Sequence, residues 1–346
     1  MDRIDHLISL LKDLPETEWR SFWARADVVR AKRPLPVQVA AKQKPRAKKR
    51  RCRSHGKTRA KPEGLKCPHC QSAAVKGHGQ YRGRSRFKCK SCKSTFNDWT
   101  NTPLSGAHSA EKMTAFTLRM GNGGMSIRDS ADEVGVSVPT AFSWRHKILH
   151  GYSVAPSRKL KGIAEADDLF FLFSEKGDKT VSKRRAPRKR GGVASKPGIS
   201  DEQVPVLFGC DREGELILAR AGRGQLTVKE VEGVLGGRVD PNATLCIDSN
   251  TSLKAFAKAN EIHFKALNAS KGQRVIDDVY HIQHVNGAHS RFRKWMKQFN
   301  GVSTKHLNSY AQWFGLLEET KARQDRADAF VARSARQRRC QKPQTY

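Results

Sequence analysis

Long apolar runs are missing from this chain. None approaches the ~20 residues that a membrane-spanning helix needs, so no such span is expected. The first stretch, Met1 to Leu14, sets Asp and Lys inside its apolar pattern and does not read as a secretory signal. Acids are scarce too. There are 33 Asp+Glu against 66 Lys+Arg, a formal net charge of +33 over 346 residues. Such an excess suits a polyanionic partner, because neutralising phosphates releases condensed counterions. Charge alone leaves open a protein with basic tails or one that adheres to an anionic membrane surface. Cysteine is sparse: of eight, four form two tight pairs, which is metal usage in a reducing compartment rather than a disulfide framework. A cytoplasmic, nucleoid-associated location is expected.

What is present divides unevenly. The length predicts two to three domains. Residues 1–30 read as short amphipathic helices: Ile4, Leu7, Ile8 and Leu11 recur at helical spacing, Pro15 interrupts, and Trp19, Phe22 and Trp23 resume. They are either a small interaction module or a helical cap. Residues 31–62 hold 13 Lys/Arg and no acid, and read as a disordered basic linker. Residues 63–100 carry the cysteine pairs, and 108–150 are helical in pattern. From 160 to about 315, strand-like runs alternate with helices, the signature of an α/β domain. Residues 318–346 read as a loose basic tail. No internal repeat is evident.

The pairs are Cys67-Pro-His-Cys70 and Cys89-Lys-Ser-Cys92. Each C-x-x-C turn places two thiolates on one side of a knuckle, and two knuckles complete a tetrahedron around Zn²⁺. Four protein ligands close the site, so the zinc would be structural, within a zinc ribbon. Phe87 and Phe96 are expected to pack on the knuckles, with Arg82, Arg84 and Arg86 facing solvent. The alternative is two independent buried or redox-active pairs. Cys52, Cys210, Cys246 and Cys340 are isolated and read as packing or tail residues.

A helix-turn-helix is predicted next. Ser126 to Val134 reads as the first helix, Gly135-Val-Ser137 as the turn, and Val138 to His150 as the second helix. Gly135 supplies a left-handed position, Ser137 an N-cap, and Pro139 a first-turn residue. Ile127, Ala131, Val134, Val136, Ala141 and Ile148 would form its core. The early second helix would face a major groove, which nominates Thr140, Ser143, Trp144 and Arg145 as DNA contacts and Lys147 as a phosphate contact. An αα-hairpin that merely packs is the competing reading.

Gly162 to Phe173 reads as a strand with Asp167 on the face of Glu165 and Leu169, and Asp168 on the other. An acid within an apolar strand is costly unless paired or metal-bound. Val204 to Cys210, Leu216 to Ala219 and Thr244 to Asp248 suit further strands, the last ending in an acid where α/β active sites form. Between the first two strands, residues 176–199 insert nine Lys/Arg, either a solvated loop or a phosphate clamp.

These stretches carry a resemblance. Phe87-Lys-Cys-Lys-Ser-Cys-Lys-Ser-Thr-Phe-Asn97, Thr102-Pro-Leu104, Glu165-Ala-Asp-Asp168, Ser200-Asp-Glu-Gln-Val-Pro-Val206, Ile247-Asp248 and His281-Ile-Gln-His-Val-Asn286 resemble the DDE transposases of bacterial insertion sequences. The match is to the ISXO-type group with an upstream zinc ribbon, and it spans roughly residues 65–315. The resemblance implies an RNase H-like mixed sheet flanked by helices. It also implies a transposase that cleaves and transfers DNA strands at element ends. Asp167 and Asp248 match its first two catalytic acids, which would hold Mg²⁺ or Mn²⁺ in a two-metal scheme. Asn286 falls at the third position, where an amide oxygen can ligate but brings no charge; Asp277 or Asp278 could substitute. Arg293, one helical repeat on, would contact substrate DNA, and His281 would lie at the site's edge. Double-stranded DNA and a homo-oligomer are the implied partners.

Taken singly, Asp167 could be a salt-bridged core acid, Asp248 an N-cap, Asn286 a surface amide and Arg293 a solvated charge. Two other functions stay open. A transposase relative without chemistry could act as a DNA-binding regulator, a reading that Asn286 keeps alive. A zinc-ribbon RNA binder would explain charge and cysteines but not the two strand-borne aspartates.

Overall fold

The computed structural model describes residues 64–81, 84–150, 159–177, 192–268 and 272–335. The expected N-terminal helices and basic linker, Arg82, Cys52, Cys340 and most of the 176–199 insertion lie outside the described residues. The chain divides into two compact units, one containing residues 1–110 and the other running from Glu111 to Ser334.

In the first unit, β1 (Val75–Tyr81), β2 (Arg84–Cys89) and β3 (Thr95–Phe96) form an antiparallel sheet in that order. Phe87 and Phe96 pair across it with ring centroids 5.8 Å apart and pack with Val75 and the buried Cys67 and Cys89. Arg84 departs from the solvent-facing expectation. Its guanidinium lies 3.3 Å over the Trp99 ring, where cation–π attraction and stem burial outweigh exposure.

The second unit opens with α1 (Ala110–Gly121), α2 (Ile127–Val134) and α3 (Val138–His150). Helix α2 starts where the Ser126 hydroxyl accepts the Asp129 N–H. It stops at Gly135, whose left-handed φ of 66° lets its N–H reach the carbonyls of Ala131 and Asp132. Helix α3 begins after Ser137, whose hydroxyl accepts the Thr140 N–H. Ala131, Ala141 and Ile148 are buried as expected, whereas Ile127, Val134 and Val136 are half-buried.

Five strands build the main sheet: β4 (Ile163–Leu172), β5 (Gln203–Asp211), β6 (Leu216–Arg220), β7 (Thr244–Ile247) and β8 (His263–Ala266). Their order is β6-β5-β4-β7-β8. The β6–β5–β4 half is antiparallel and the β4–β7–β8 half parallel, so the sheet is mixed, as expected. Helices α4 (Val228–Leu235) and α5 (Thr251–Ala259) belong to one core, where Val231, Leu235, Leu253 and Phe256 pack with Ala164, Ala166, Leu207 and Ile247. Thr227 and Glu230 cap α4 reciprocally, a capping box, and Asn250 caps α5 through the N–H groups of Ser252 and Leu253.

Three more helices complete the unit: α6 (Gln283–Lys297), α7 (Thr304–Glu319) and α8 (Arg326–Ala335). From α6, Phe292 packs on Phe208 of β5, Phe171 of β4 and Phe314 of α7 at 5.0–5.6 Å. Each such fully buried ring contributes about 2–3 kcal/mol. The loose tail expected from 318 onward is helical over α8 instead, because Phe330 is buried there.

The predicted helix-turn-helix is not a separate domain. It lies within the same compact unit as the sheet. Trp313 of α7 is fully buried and its indole N–H donates to Met120 at the end of α1. Trp295 of α6 donates to the carbonyl of Gly123. Gly124, at φ 72°, leaves room for the Trp313 ring: a Cβ there would lie 2.3 Å from it.

Arg145 is corrected outright. It is fully buried, not a DNA contact. It donates to the Met125 carbonyl at 2.7 Å and the Ser130 hydroxyl at 2.9 Å, with Phe299 and Trp313 rings 5.4–5.5 Å from its guanidinium. A helical period of 3.6 turned it inward, away from Ser143, which is exposed.

Candidate functional site

Strand register brings the two aspartates together. β4 and β7 run parallel with Ala166 opposite Ile247, so the next residues, Asp167 and Asp248, fall side by side where β7 ends. Each carboxylate opposes ionisation of its neighbour. Burial, then the charge of Asp248, pushes Asp167 up from 3.8 to about 7, while Arg293 on α6 pulls the other way. Burial and Asp248 likewise raise Asp168, on the opposite face, to about 6.

The simpler roles for these acids fit poorly. The N-cap of α5 is Asn250, and Asp248 sits two residues upstream, accepting the Asn250 N–H at 2.8 Å. The imidazole nearest Asp167 is His289 Nδ1 at 3.8 Å. Burial, then Arg293, holds His289 down at about 4, so this ring is neutral near pH 7 and supplies no counter-charge. Sequence reasoning missed His289; its spacing of four from Val285 and three from Phe292 put it on the inward face of α6, and that was the available signal.

Asn286 lies in the first turn of α6 and is exposed, as is Arg293. The carboxylate of Asp277, considered as a substitute for Asn286, pairs with Lys265 at 3.1 Å. His281 is drawn instead to Glu165, a residue singled out only as part of a motif. Glu165, on the same face of β4 as Asp167, is buried and meets Arg212 at 3.0 Å, His284 at 2.9 Å and His281 at 3.4 Å. The period-two pattern around Asp167 was the signal that could have exposed its role. Of the groove-facing candidates on α3, Ser143 is exposed, Thr140 and Lys147 are half-buried, and Trp144 packs edge-on to Phe116 at 6.0 Å.

The four paired cysteines converge. Their sulfurs all lie within 4.8 Å of one another, with Cys67–Cys92 and Cys70–Cys89 both at 3.6 Å. A tetrahedron of Zn–S bonds has edges of about 3.8 Å, which these match. The knuckles repeat one geometry. Cys67 donates to Ser72 and Cys89 to Ser94, both at 2.9 Å, and Gln71 and Lys93 both turn at φ near 60°. Hydrogen bonds from the Ser94 hydroxyl and N–H lower Cys92 to about 6 and the Cys92 N–H lowers Cys89, whereas Cys70, despite the Ser72 N–H, is raised to about 11 by desolvation and the neighbouring thiols. Cys210 and Cys246 are buried singly in the sheet, where desolvation raises both thiols to about 11–12 and leaves them inert.

Among known proteins this combination falls with the transposases of insertion sequences. Residues 159–315 match the ISXO2-like transposase domain, and the chain belongs to that family. It is 26% identical over 264 residues to the "Uncharacterized protein in transposable element ISH50" of Halobacterium salinarum, covering 74% of this chain and 86% of that one. It is 32% identical over 79 residues to the insertion element iso-IS1N protein InsA of Shigella dysenteriae, covering 22% of this chain and 81% of that one. Solved structures with some likeness include a pre-cleavage Mos1 transpososome (13% identity, 64% of this chain and 78% of that chain, TM-score 0.22). The Mos1 strand transfer complex is similar at 13% identity, 66% and 78% coverage, and TM-score 0.22. At that level of superposition it is the strand order of the chain itself that defines its fold. Among the described residues no helix is long and apolar enough to cross a membrane.

Proposed function

We propose that this transposase binds the ends of its element and performs metal-dependent strand cleavage and strand transfer through an RNase H-like domain. The observation that carries the reading is the register of β4 and β7, which sets Asp167 beside Asp248. The antiparallel half of the sheet joined to a parallel half supports the RNase H-like assignment.

Asp167, Asp248 and Asn286 would hold Mg²⁺ or Mn²⁺. The donor set fits: carboxylate and amide oxygens are hard ligands, and two mutually repelling carboxylates gain from a shared cation. When bound, such ions activate the attacking oxygen and stabilise the leaving one. The chain's own part is to orient and shield. Asp167 is held between β5 and β7 and below α6, which excludes bulk water from one side. Arg293 offers a guanidinium to substrate phosphate.

Zinc in the Cys67, Cys70, Cys89 and Cys92 cluster would fix a ribbon too small to fold on its own apolar core. Helix α3 would present Thr140, Ser143, Trp144 and Lys147 to duplex DNA. The net charge of +33 supports a DNA partner.

The test is nicking of a duplex carrying the element's terminal repeat, in Mg²⁺ or Mn²⁺. Asp248→Asn should abolish nicking and leave duplex binding largely intact. Equal loss of both would mark Asp248 as a structural acid. A second reading, a DNA-binding regulator without chemistry, draws on the uncharged and exposed Asn286. It predicts duplex binding by the unsubstituted chain with no nicking in either metal.

A further inference from the structure

Glu165 is 1% exposed, yet every one of its carboxylate oxygens is engaged. Oε2 accepts the backbone N–H of Val285 at 2.9 Å. Oε1 accepts from Arg212 at 3.0 Å and lies 2.9 Å from His284 Nδ1. Val285 is the third residue of α6, and the helix's own N-cap residue, Ile282, makes no side-chain cap bond. The orphan N–H of that first turn is therefore satisfied from another element. A negative charge there also complements the helix dipole.

Position gives this bond its meaning. Glu165 stands two residues before Asp167 on the same face of β4, and Val285 stands one residue before Asn286. One carboxylate thus ties the strand of the first proposed ligand to the helix turn of the third. We propose that Glu165 is a positioning residue, holding the first turn of α6 so that Asn286 reaches the cation held by Asp167. The inference rests on the reading of Asp167, Asp248 and Asn286 as cation ligands.

A rival use of the same residues is weaker. Glu165, His281 and His284 present ligand atoms within 4.8 Å of one another, a set able to hold a metal. The guanidinium of Arg212 already supplies a fixed positive charge to Glu165 and hydrogen-bonds to the Val279 carbonyl at 3.2 Å. A cation there would meet that charge and would have to displace Arg212 from Oε1, the oxygen that faces both imidazoles. The cluster is a brace, and its charges are balanced without an ion.

The experiment is a double-mutant cycle read by Mn²⁺ binding (electron paramagnetic resonance or calorimetry on the zinc-loaded full chain) rather than by turnover. Asn286→Ala alone should weaken Mn²⁺ about tenfold, and Glu165→Leu alone should do the same, as outer groups that orient ligands commonly do. Together they should weaken it little more than either alone, because Asn286 is already out of place. Glu165→Gln keeps an oxygen for the Val285 N–H and should stay within about threefold of the unsubstituted chain. If Glu165→Leu fails to fold, Glu165→Leu with Arg212→Leu removes both buried charges and serves in its place. Factors that multiply to about a hundredfold would overturn the inference and leave Glu165 a stability residue. Loss of one Mn²⁺ equivalent in Glu165→Gln would also overturn it, making Glu165 a ligand. Absence of Mn²⁺ binding in the unsubstituted chain, or indifference to Asn286→Ala, would instead bring down the underlying ligand reading and the inference with it.

Discussion

Replacing Asp167 by Asn should make the metal-free protein more stable, not less. The carboxyl rises from 3.8 to about 7 because burial and Asp248 oppose its charge. At about 1.4 kcal/mol per tenfold change in proton affinity, this sets a ceiling of about 4 kcal/mol of native-state penalty above pH 7. The side chain retains 16% exposure, so solvent screening reduces the figure to roughly 2 kcal/mol. Asn keeps the side-chain oxygen that accepts the Asp168 N–H at 2.9 Å. For a unit of this size each kcal/mol is worth about 2–4 °C, so the melting temperature in EDTA at pH 8 should rise by about 4–8 °C.

The pH dependence has a definite sign. A carboxyl whose folded value is raised costs nothing below about 3.8, and its penalty grows as pH climbs through about 7. The advantage of Asp167→Asn should therefore fade between pH 8 and pH 4. Added Mn²⁺ should raise the melting temperature of the unsubstituted chain and leave that of the variant nearly unmoved. Thermal unfolding in EDTA across this range is the assay. A variant that melts at or below the unsubstituted chain at pH 8 would refute the argument that these carboxylates repel each other in a shared pocket.

Three further outcomes are expected. Cys89→Ser should lose bound zinc, measured as metal per chain, while unfolding of the Glu111–Ser334 unit stays unchanged; wild-type zinc content would exclude the four-cysteine site. Burial, then the charges of His306, Arg145 and Lys305, holds His146 at about 3, so the unfolded imidazole takes up a proton below about 6.5 while the folded one does not. Acid should thus destabilise the fold by up to about 1.4 kcal/mol per pH unit from 6.5 downward, and denaturant titrations of His146→Gln should show a shallower slope. Gly124→Ala should cost about 3 kcal/mol or more, since it forces a left-handed Ala into the Trp313 ring; an unchanged denaturation midpoint would contradict that packing.

Strands β4 to β7, both helices of the hairpin and the cysteine knuckles were legible because each depends on local signals. Strand ends at Gly162, Asp211 and Asp248 follow turn chemistry, and Gly135 marks the turn between α2 and α3 by its conformation alone. Asp167 and Asp248 were legible through motif and strand period together. Burial of Arg145 was not. Its neighbours along α3 alternate in polarity, and only the approach of α7 with Trp313 shows which face turns inward. Glu165 was hidden for a similar reason: its partners Arg212, His284 and Val285 come from two distant segments. Phe330 sits among Arg, Asp and Ala, so one aromatic in a polar stretch gave too little periodicity to announce α8.

The interior guanidinium of Arg145 has a consequence for the proposed reading. Peeling α3 away from α7 would strip this guanidinium of Tyr310 and the Trp313 ring and would break the Trp313 bond to Met120 of the preceding helix, while its bonds to Met125 and Ser130 stay within the hairpin. The hairpin is therefore bolted to the scaffold that bears the aspartates, not tethered to it. On the proposed reading, the span between the bases gripped by α3 and the phosphodiester that is cut is a fixed gauge. Shifting the cleavage point by even one base pair would require re-engineering that bolt rather than lengthening a linker.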